Sequence, residues 1–274
     1  MTRIEQTFNT LKSQNKKALI PYVMAGDPNP HVTVALMHDL VAHGADIIEI
    51  GLPFSDPMAD GQTIALAAER ALAAGTSTRQ AIAMVQEFRQ TNTTTPVLVM
   101  GYLNPVEIIG YQAFADMCAA AGVDGILMVD LPPQEAGAFP KELTARTDNP
   151  LNEIFLLSPT TVAERRQKVI ESCSGFIYYV SVKGVTGSSA LDVDDVNTYV
   201  SAIKAQTEIP VCVGFGIRDG ASAYALSRVA DGVIVGSELV RHFADVGDDT
   251  AKIEQARANI LAKMDELRQA IDRA

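Results

Sequence analysis

A TIM (β/α)8 barrel is the fold that this chain of 274 residues predicts. Three observations carry the prediction. Eight short apolar runs recur along the chain, each nearly continuous in Val, Ile, Leu and aromatics, as strands of a parallel sheet covered on both faces read. Helical patterns lie between them, so the order is β then α throughout. No G-x-G-x-x-G follows the first run, which weighs against the rival, an open doubly wound sheet.

An extra helix precedes the first strand, because Ile4, Phe8 and Leu11 fall on one face. The predicted strands are "ALIPYVMAG" (18–26), "DIIEIGLP" (46–53), "PVLVMGY" (96–102), "GILMVDLP" (125–132), "EIFLLSP" (153–159), "GFIYYVSV" (175–182), "PVCVGFGI" (210–217) and "GVIVGS" (232–237). Between the first two, Val34, Met37 and Val41 share a helix face that Gly44 ends. Ser77 and Gln80 have capping-box spacing ahead of Ile82, Val85 and Phe88, and Thr161 and Glu164 repeat it later. Val196, Val200 and Ile203 mark a further helix. Ile253, Ile260, Met264, Leu267 and Ile271 mark the closing one. No low-complexity linker interrupts the series, so residues 1–274 read as a single barrel domain. The long polar segment 185–195, "VTGSSALDVDD", is the candidate lid.

Composition narrows the function. The net charge is −11, and no Lys/Arg cluster resembles a nucleic-acid footprint. An acidic chain repels nucleic acid and anionic lipid, so an anionic ligand must be held locally by backbone N–H groups. No apolar run is long enough to span a bilayer, and the N-terminus lacks the apolar core of a signal peptide; a cytoplasmic protein is expected. Cys118, Cys173 and Cys212 are odd in number and scattered. They predict neither a disulfide framework nor a zinc site, and fit a reducing compartment. His31, His38, His43 and His242 read as surface or capping residues, and no metal site is expected.

In this fold the active site forms at the C-terminal ends of the strands and on the loops that follow. "IEIGLPFSDPMADG" (48–61) stands out there. By alternation Ile47, Glu49 and Gly51 share one face of the second strand, so Glu49 faces either the barrel mouth or a helix. It is either held by a cation, solvated at the rim, or a general acid/base with a raised pKa. Asp56 and Asp60 lie in the following loop, and each has the local chemistry of a turn former. Asp60 adds a second carboxylate to the same mouth, where two carboxyls have their pKa values pushed apart. Gly-rich turns "GVTG" (184–187), "GFGI" (214–217) and "VGS" (235–237) follow late strands, where such barrels bind phosphate, and Ser237 opens a short helix. Lys183 is either an exposed loop residue or a Schiff-base lysine.

Several segments together resemble one family. "EIGLPFSDPMADG", "PYVMAGDP" (21–28), "GYLNP" (101–105), "VDLPPQE" (129–135), "SPTT" (158–161), "YVSVKGVTG" (179–187) and "GFGI" resemble tryptophan synthase alpha chains, in family order and over nearly the whole chain. The resemblance implies a lyase of tryptophan biosynthesis that cleaves indole-3-glycerol phosphate into indole and glyceraldehyde 3-phosphate. It makes Glu49 the acid/base and Asp60 the partner of the indole N–H. It assigns Gly187, Gly216, Gly236 and Ser237 to the phosphate. Tyr178 is implied near the glycerol chain, Thr186 as a lid residue closing on the catalytic aspartate, and Tyr22, Met100, Leu127 and Phe215 around the indole. Asp130 reads as structural. The resemblance also implies an alpha2-beta2 heterotetramer. Pro53, Asp56 and Asn104 would face a beta chain that carries pyridoxal phosphate, with no cofactor in this chain. Two departures are notable: Gln62 stands where Pro is expected, loosening the loop, and Tyr22 where Phe is usual. The alternatives are a stand-alone indole-releasing lyase, a catalytically silent regulatory barrel, and an aldolase using Lys183.

Overall fold

The computed structural model describes residues 1–134, 150–181, 193–214 and 216–274. A capping box opens helix α1 (Arg3–Ser13): the Thr2 hydroxyl accepts the Glu5 N–H, and the Glu5 carboxylate accepts the Thr2 N–H at 2.8 Å. Its buried stripe is Ile4, Phe8 and Leu11. That stripe closes the N-terminal end of the barrel, packing with Ala18, Ile20, Ile47, Leu98, Leu127 and Phe176.

The strands are β1 (Ala18–Met24), β2 (Ile48–Gly51), β3 (Val97–Gly101), β4 (Gly125–Met128), β5 (Asn152–Glu153), β6 (Leu156–Leu157), β7 (Ile177–Val180), β8 (Val211–Gly214) and β9 (Gly232–Val235). All pair in parallel, in the order β5-β4-β3-β2-β1-β9-β8-β7-β6. The two end strands are neighbours in the chain, with only Ile154 and Phe155 between them, so the sheet curls until its ends meet. The fifth expected strand is therefore two pieces. Its first half pairs with β4 and its second with β7, and no residue of it is paired to both.

Around the sheet lie α2 (Pro30–Ala42), α3 (Gln62–Ala73), α4 (Thr78–Arg89), α5 (Leu103–Ile109), α6 (Tyr111–Ala121), α7 (Ala163–Ser172), α8 (Val193–Lys204), α9 (Gly220–Ser227), α10 (Ser237–Val240) and α11 (Thr250–Ile271). Their apolar faces pack on the outward strand residues, among them Ile48, Ile50, Val97, Val99, Val211 and Val213. This is why the strands read as continuous apolar runs rather than alternating ones.

Four local expectations change. The buried face of α2 is centred on Val32, Leu36, Met37 and Leu40, leaving Val34 and Val41 only partly buried. Thr161 does not cap α7: its hydroxyl accepts the Ser158 N–H at 3.0 Å, and the cap position falls to Val162. Gln62 does not loosen a loop, because it is the first residue of α3. That is a position where Pro is favoured because its missing N–H is not needed and its fixed φ suits the helix. The last part of the expected lid, 193–195, begins α8; Lys183 and 185–192 lie outside the described residues.

The N-terminal end of the barrel is braced by a repeated side-chain clamp. Asp46 accepts the Leu19 N–H at 2.8 Å, Asp124 that of Val97 at 2.8 Å, Ser174 that of Glu153 at 2.8 Å, and Asp231 that of Val211 at 2.9 Å. Each clamp residue precedes one strand and holds a backbone N–H of an earlier one, so it ties a β-α-β unit shut. Asp124 is the most committed, being 3% exposed and bound to Arg3 at 2.7 Å and Arg89 at 2.5 Å. Removing one partner of a buried ion pair leaves the others uncompensated. Asp124→Ala is therefore expected to cost about 3 kcal/mol or more, read as a lower urea midpoint. The same change at exposed Asp56 should leave the midpoint within error.

Candidate active site

Strand parity places the first carboxyl. Ile47 belongs to the inner cluster and Ile48 and Ile50 to the outer one, so Glu49 points into the barrel. It lies opposite Tyr22 on β1 and Leu98 on β3. Glu49 is 0% exposed, and both its carboxyl oxygens lack a hydrogen-bond partner among the described residues. Burial pushes its pKa up to about 8, with the charge of Asp60 adding to the shift. A Glu held by a cation is thus not what these residues build.

The second carboxyl comes from the loop between β2 and α3. Asp60 is half-buried, and burial raises its pKa to about 6 against the lowering effect of a hydrogen bond with Tyr102. Asp56, four residues earlier, is exposed and accepts a hydrogen bond from the Ser55 hydroxyl at 2.5 Å. Tyr102 is the residue that sequence reasoning missed. It is 3% exposed, its hydroxyl accepts the Ala59 N–H at 3.1 Å, and its ring lies 5.5 Å from that of Phe54. It stands at the end of β3 inside the quoted "GYLNP" segment, where an aromatic reads as core. Next to it, the Leu103 N–H donates to Asp130 at 2.8 Å, a structural use of that carboxylate.

A cavity of about 1340 Å³ opens at the C-terminal ends of the strands. Its wall includes Tyr22, Asp60, Met100, Tyr178, Gly216, Gly236 and Ser237. Gly216 has φ +83°, a left-handed conformation that favours glycine. Gly236 precedes the short helix that Ser237 opens. Glu49 is not on the wall; Tyr22 and Tyr178 lie on it. Leu127 is 1% exposed and packs in the barrel interior with Met100, Val129 and Tyr178, rather than on the wall. Thr186, Gly187 and Phe215 lie outside the described residues. Of the three residues expected to face a partner, Asp56 and Asn104 are exposed and Pro53 is buried. Cys118, Cys173 and Cys212 are free and buried. Among the described residues, no group of His, Cys, Asp and Glu is placed to hold a metal ion, and no helix is long and apolar enough to cross a membrane.

Fold and site together define a TIM-barrel enzyme whose candidate site is a cavity at the C-terminal strand ends with two carboxyls of raised pKa at it. The family model described as tryptophan synthase alpha chain matches residues 8–272. The chain belongs to the tryptophan synthase alpha chain family. It is 67% identical over 273 residues to the tryptophan synthase alpha chain of Psychrobacter cryohalolentis, covering 99% of each chain. It is 54% identical over 272 residues to that of Acinetobacter baumannii, again with 99% of each covered. Among solved structures, the alpha subunit from Legionella pneumophila superposes with a TM-score of 0.89 at 42% identity, covering 100% of both chains. Tryptophan synthase from M. tuberculosis, in an aminoacrylate-bound form, matches at 0.85 and 35% identity, covering 99% of this chain and 100% of that one. The activity is carbon–carbon cleavage of indole-3-glycerol phosphate to indole and glyceraldehyde 3-phosphate. The alpha chain has no cofactor of its own, and pyridoxal phosphate resides in the beta chain.

Proposed function

We propose that Glu49 moves both protons of this cleavage and that Asp60 holds the positive charge that develops between them. The bond between the indole ring and its side chain does not break while the ring keeps its aromatic electrons. Protonation of the indole C3 by neutral Glu49 gives a cationic indolenine. Ionised Asp60 accepts the indole N–H and stabilises that cation. The Glu49 carboxylate then takes the proton of the side-chain hydroxyl adjoining the ring. The carbon–carbon bond cleaves as in a retro-aldol, indole leaves with the electron pair, the aldehyde forms, and Glu49 ends protonated as it began. The observation that carries this reading is the buried, unpartnered Glu49 beside a more acidic carboxyl. A low-dielectric site keeps an acid neutral near pH 7, and each proton step so assisted contributes roughly 10²–10⁴-fold.

Backbone N–H groups at Gly187, Gly216 and Gly236, with Ser237, hold the phosphate. Tyr22, Met100 and Phe215 border the indole, with Leu127 supporting them from below. Tyr178 lies beside the glycerol chain, and Thr186 closes the lid onto Asp60. The chain acts as one domain, in the cytoplasm, docked on a beta chain in an alpha2-beta2 assembly. Asp56 and Asn104 make the contact, and buried Pro53 shapes the loop that carries Asp56.

The test is indole release by the purified chain, with and without a beta chain, as a function of pH. Cleavage requires Asp60 ionised and Glu49 protonated. Activity should therefore be lost as pH falls through about 6 and as it rises through about 8. These limbs belong to the interacting pair. A profile of kcat/KM that is flat from pH 5 to 9 would remove the proposed division of labour. Strong indole release that a beta chain leaves unchanged would favour a stand-alone lyase.

A further inference from the structure

The turns that carry the proposed phosphate residues lie past the ends of their strands. Pairing of β8 with β9 ends at Gly214 and Ile234. Gly216, Gly236 and Ser237 come after it, and among the described residues no backbone hydrogen bond joins one turn to the other. Helix α11 reaches both turns with two side chains. The Lys263 ammonium donates to the Arg218 carbonyl at 3.3 Å, binds the Glu266 carboxylate at 2.6 Å and lies 3.7 Å from that of Glu238. Glu266 in turn accepts the Gly220 N–H at 2.6 Å.

Lys263 thus ties the turn after β8 to the turn after β9. Arg218 and Gly220 flank Asp219, so the first turn is held on both sides of one residue, just beyond Gly216. Glu238 adjoins Ser237 on the second. Gly216, Arg218, Gly236, Ser237 and Glu238 line the cavity, and neither Lys263 nor Glu266 does. Lys263 therefore acts from behind the wall. The Glu238 side chain is 11% exposed and shares its charge between Arg241, at 2.6 Å, and Lys263. Of the two cations Lys263 is the more shielded from solvent, 18% exposed against 57%, so its charge is screened less. A carboxylate at this place repels a phosphate dianion beside Ser237 unless a cation offsets it.

We infer that Lys263 is a positioning residue for the phosphate group of the substrate: from α11 it holds the Arg218 carbonyl and the Glu238 carboxylate at once, and so sets the two phosphate turns at the spacing that a phosphate monoester needs. It touches no substrate atom and moves no proton. Its loss leaves the turn after β8 without that donor and Glu238 with one cation fewer. Both changes weaken the hold on a dianion. The acid–base pair, on β2 and in the loop after it, is unaffected. This inference rests on the reading in which Gly216, Gly236 and Ser237 hold the phosphate.

Lys263→Met tests it, because methionine keeps nearly the helix propensity of lysine but has neither charge nor donor. The KM for indole-3-glycerol phosphate and the inhibition constant of inorganic phosphate should both rise about fivefold. The kcat and the inhibition constant of indole should stay within about twofold of the parent's. Lys263→Arg, which keeps the charge and the donors, should hold both phosphate-dependent constants near the parent's values. Glu266→Gln still accepts the Gly220 N–H but grips Lys263 less firmly, and should raise the same two constants by less. Constants that stay at the parent's values in Lys263→Met, whatever happens to Tm, overturn the inference and leave Lys263 a contact for stability alone. A rise for indole as large as that for phosphate also overturns it, because the whole mouth has then loosened. Failure of the underlying reading looks different: Ser237→Asp, which sets a carboxylate at the proposed phosphate position, would leave the phosphate inhibition constant unchanged.

Discussion

Glu49→Gln abolishes indole release and leaves affinity for a phosphate-bearing substrate analogue within about twofold; this is the largest effect the site predicts. The amide fills the same volume on β2 but has no proton to give to the indole C3 and no carboxylate to take one from the hydroxyl. Both proton transfers go through this one side chain, so the loss should reach or exceed the roughly 10⁴-fold upper end for a single acid–base group. The phosphate candidates Gly216, Gly236 and Ser237 follow β8 and β9 rather than β2 and are untouched. A second readout separates chemistry from damage. In the folded chain Glu49 stays protonated to about pH 8, against an ordinary value of 4.5. The unfolded chain releases that proton from about pH 4.5 upward, so folding is penalised progressively between pH 4.5 and 8. At pH 7 the penalty is about 3 kcal/mol by linkage. Glutamine does not titrate, so the variant should be more stable than the parent at pH 7, with the advantage fading toward pH 4.5. Near-normal turnover would sink the assignment, and equal stability across this range would show that Glu49 does not hold its proton in the fold.

How much of this was legible without coordinates depends on which interactions are local. Strand parity groups Glu49 with Ile47 and Gly51, because the period of two is a property of the chain itself, but the packing of Ile47 inside and of Ile48 and Ile50 outside is what shows that this face is the barrel interior. Asp60 was separable from Asp56 only through its place beside that strand and the family resemblance. The structure adds the physical difference, one half-buried against Tyr102 and the other exposed. Tyr102 had no local signal, since its role depends on contact with the loop between β2 and α3, which carries Ala59 and Asp60. The clamp residues Asp46, Asp124, Ser174 and Asp231 carry no local signal for the same reason: the N–H each one accepts is on another strand. Helix α3 escaped because Gly61 gives no side-chain cap and its alanine-rich sequence has a weakly polar outer face. The expected cap at Thr161 failed because a nearer N–H, that of Ser158, competes for the hydroxyl. Leu127 has the right strand and the right face but sits one layer too deep to reach the cavity, a distinction of depth that parity does not carry.

Asp60→Asn is expected to lower kcat by about 10²–10³-fold and to change the pH profile in a way that no general loss of structure would. The neutral amide keeps an oxygen to accept the indole N–H and remains within reach of Tyr102, so binding should suffer less than turnover. What disappears is the negative charge that offsets the cationic indolenine, and an electrostatic contribution of this kind is largest where water is excluded. The acid limb near pH 6 should vanish, because the group assigned to it no longer titrates. The basic limb should move to lower pH, because part of the upward shift of Glu49 comes from the charge of Asp60. With that repulsion gone, Glu49 ionises earlier, and the variant loses its acid at a pH where the parent is still active. The two changes have opposite origins and a single cause, so they must appear together. An acid limb that persists near pH 6 would mean that another group sets it. A rate equal to the parent's would leave Asp60 with no charge-stabilising role.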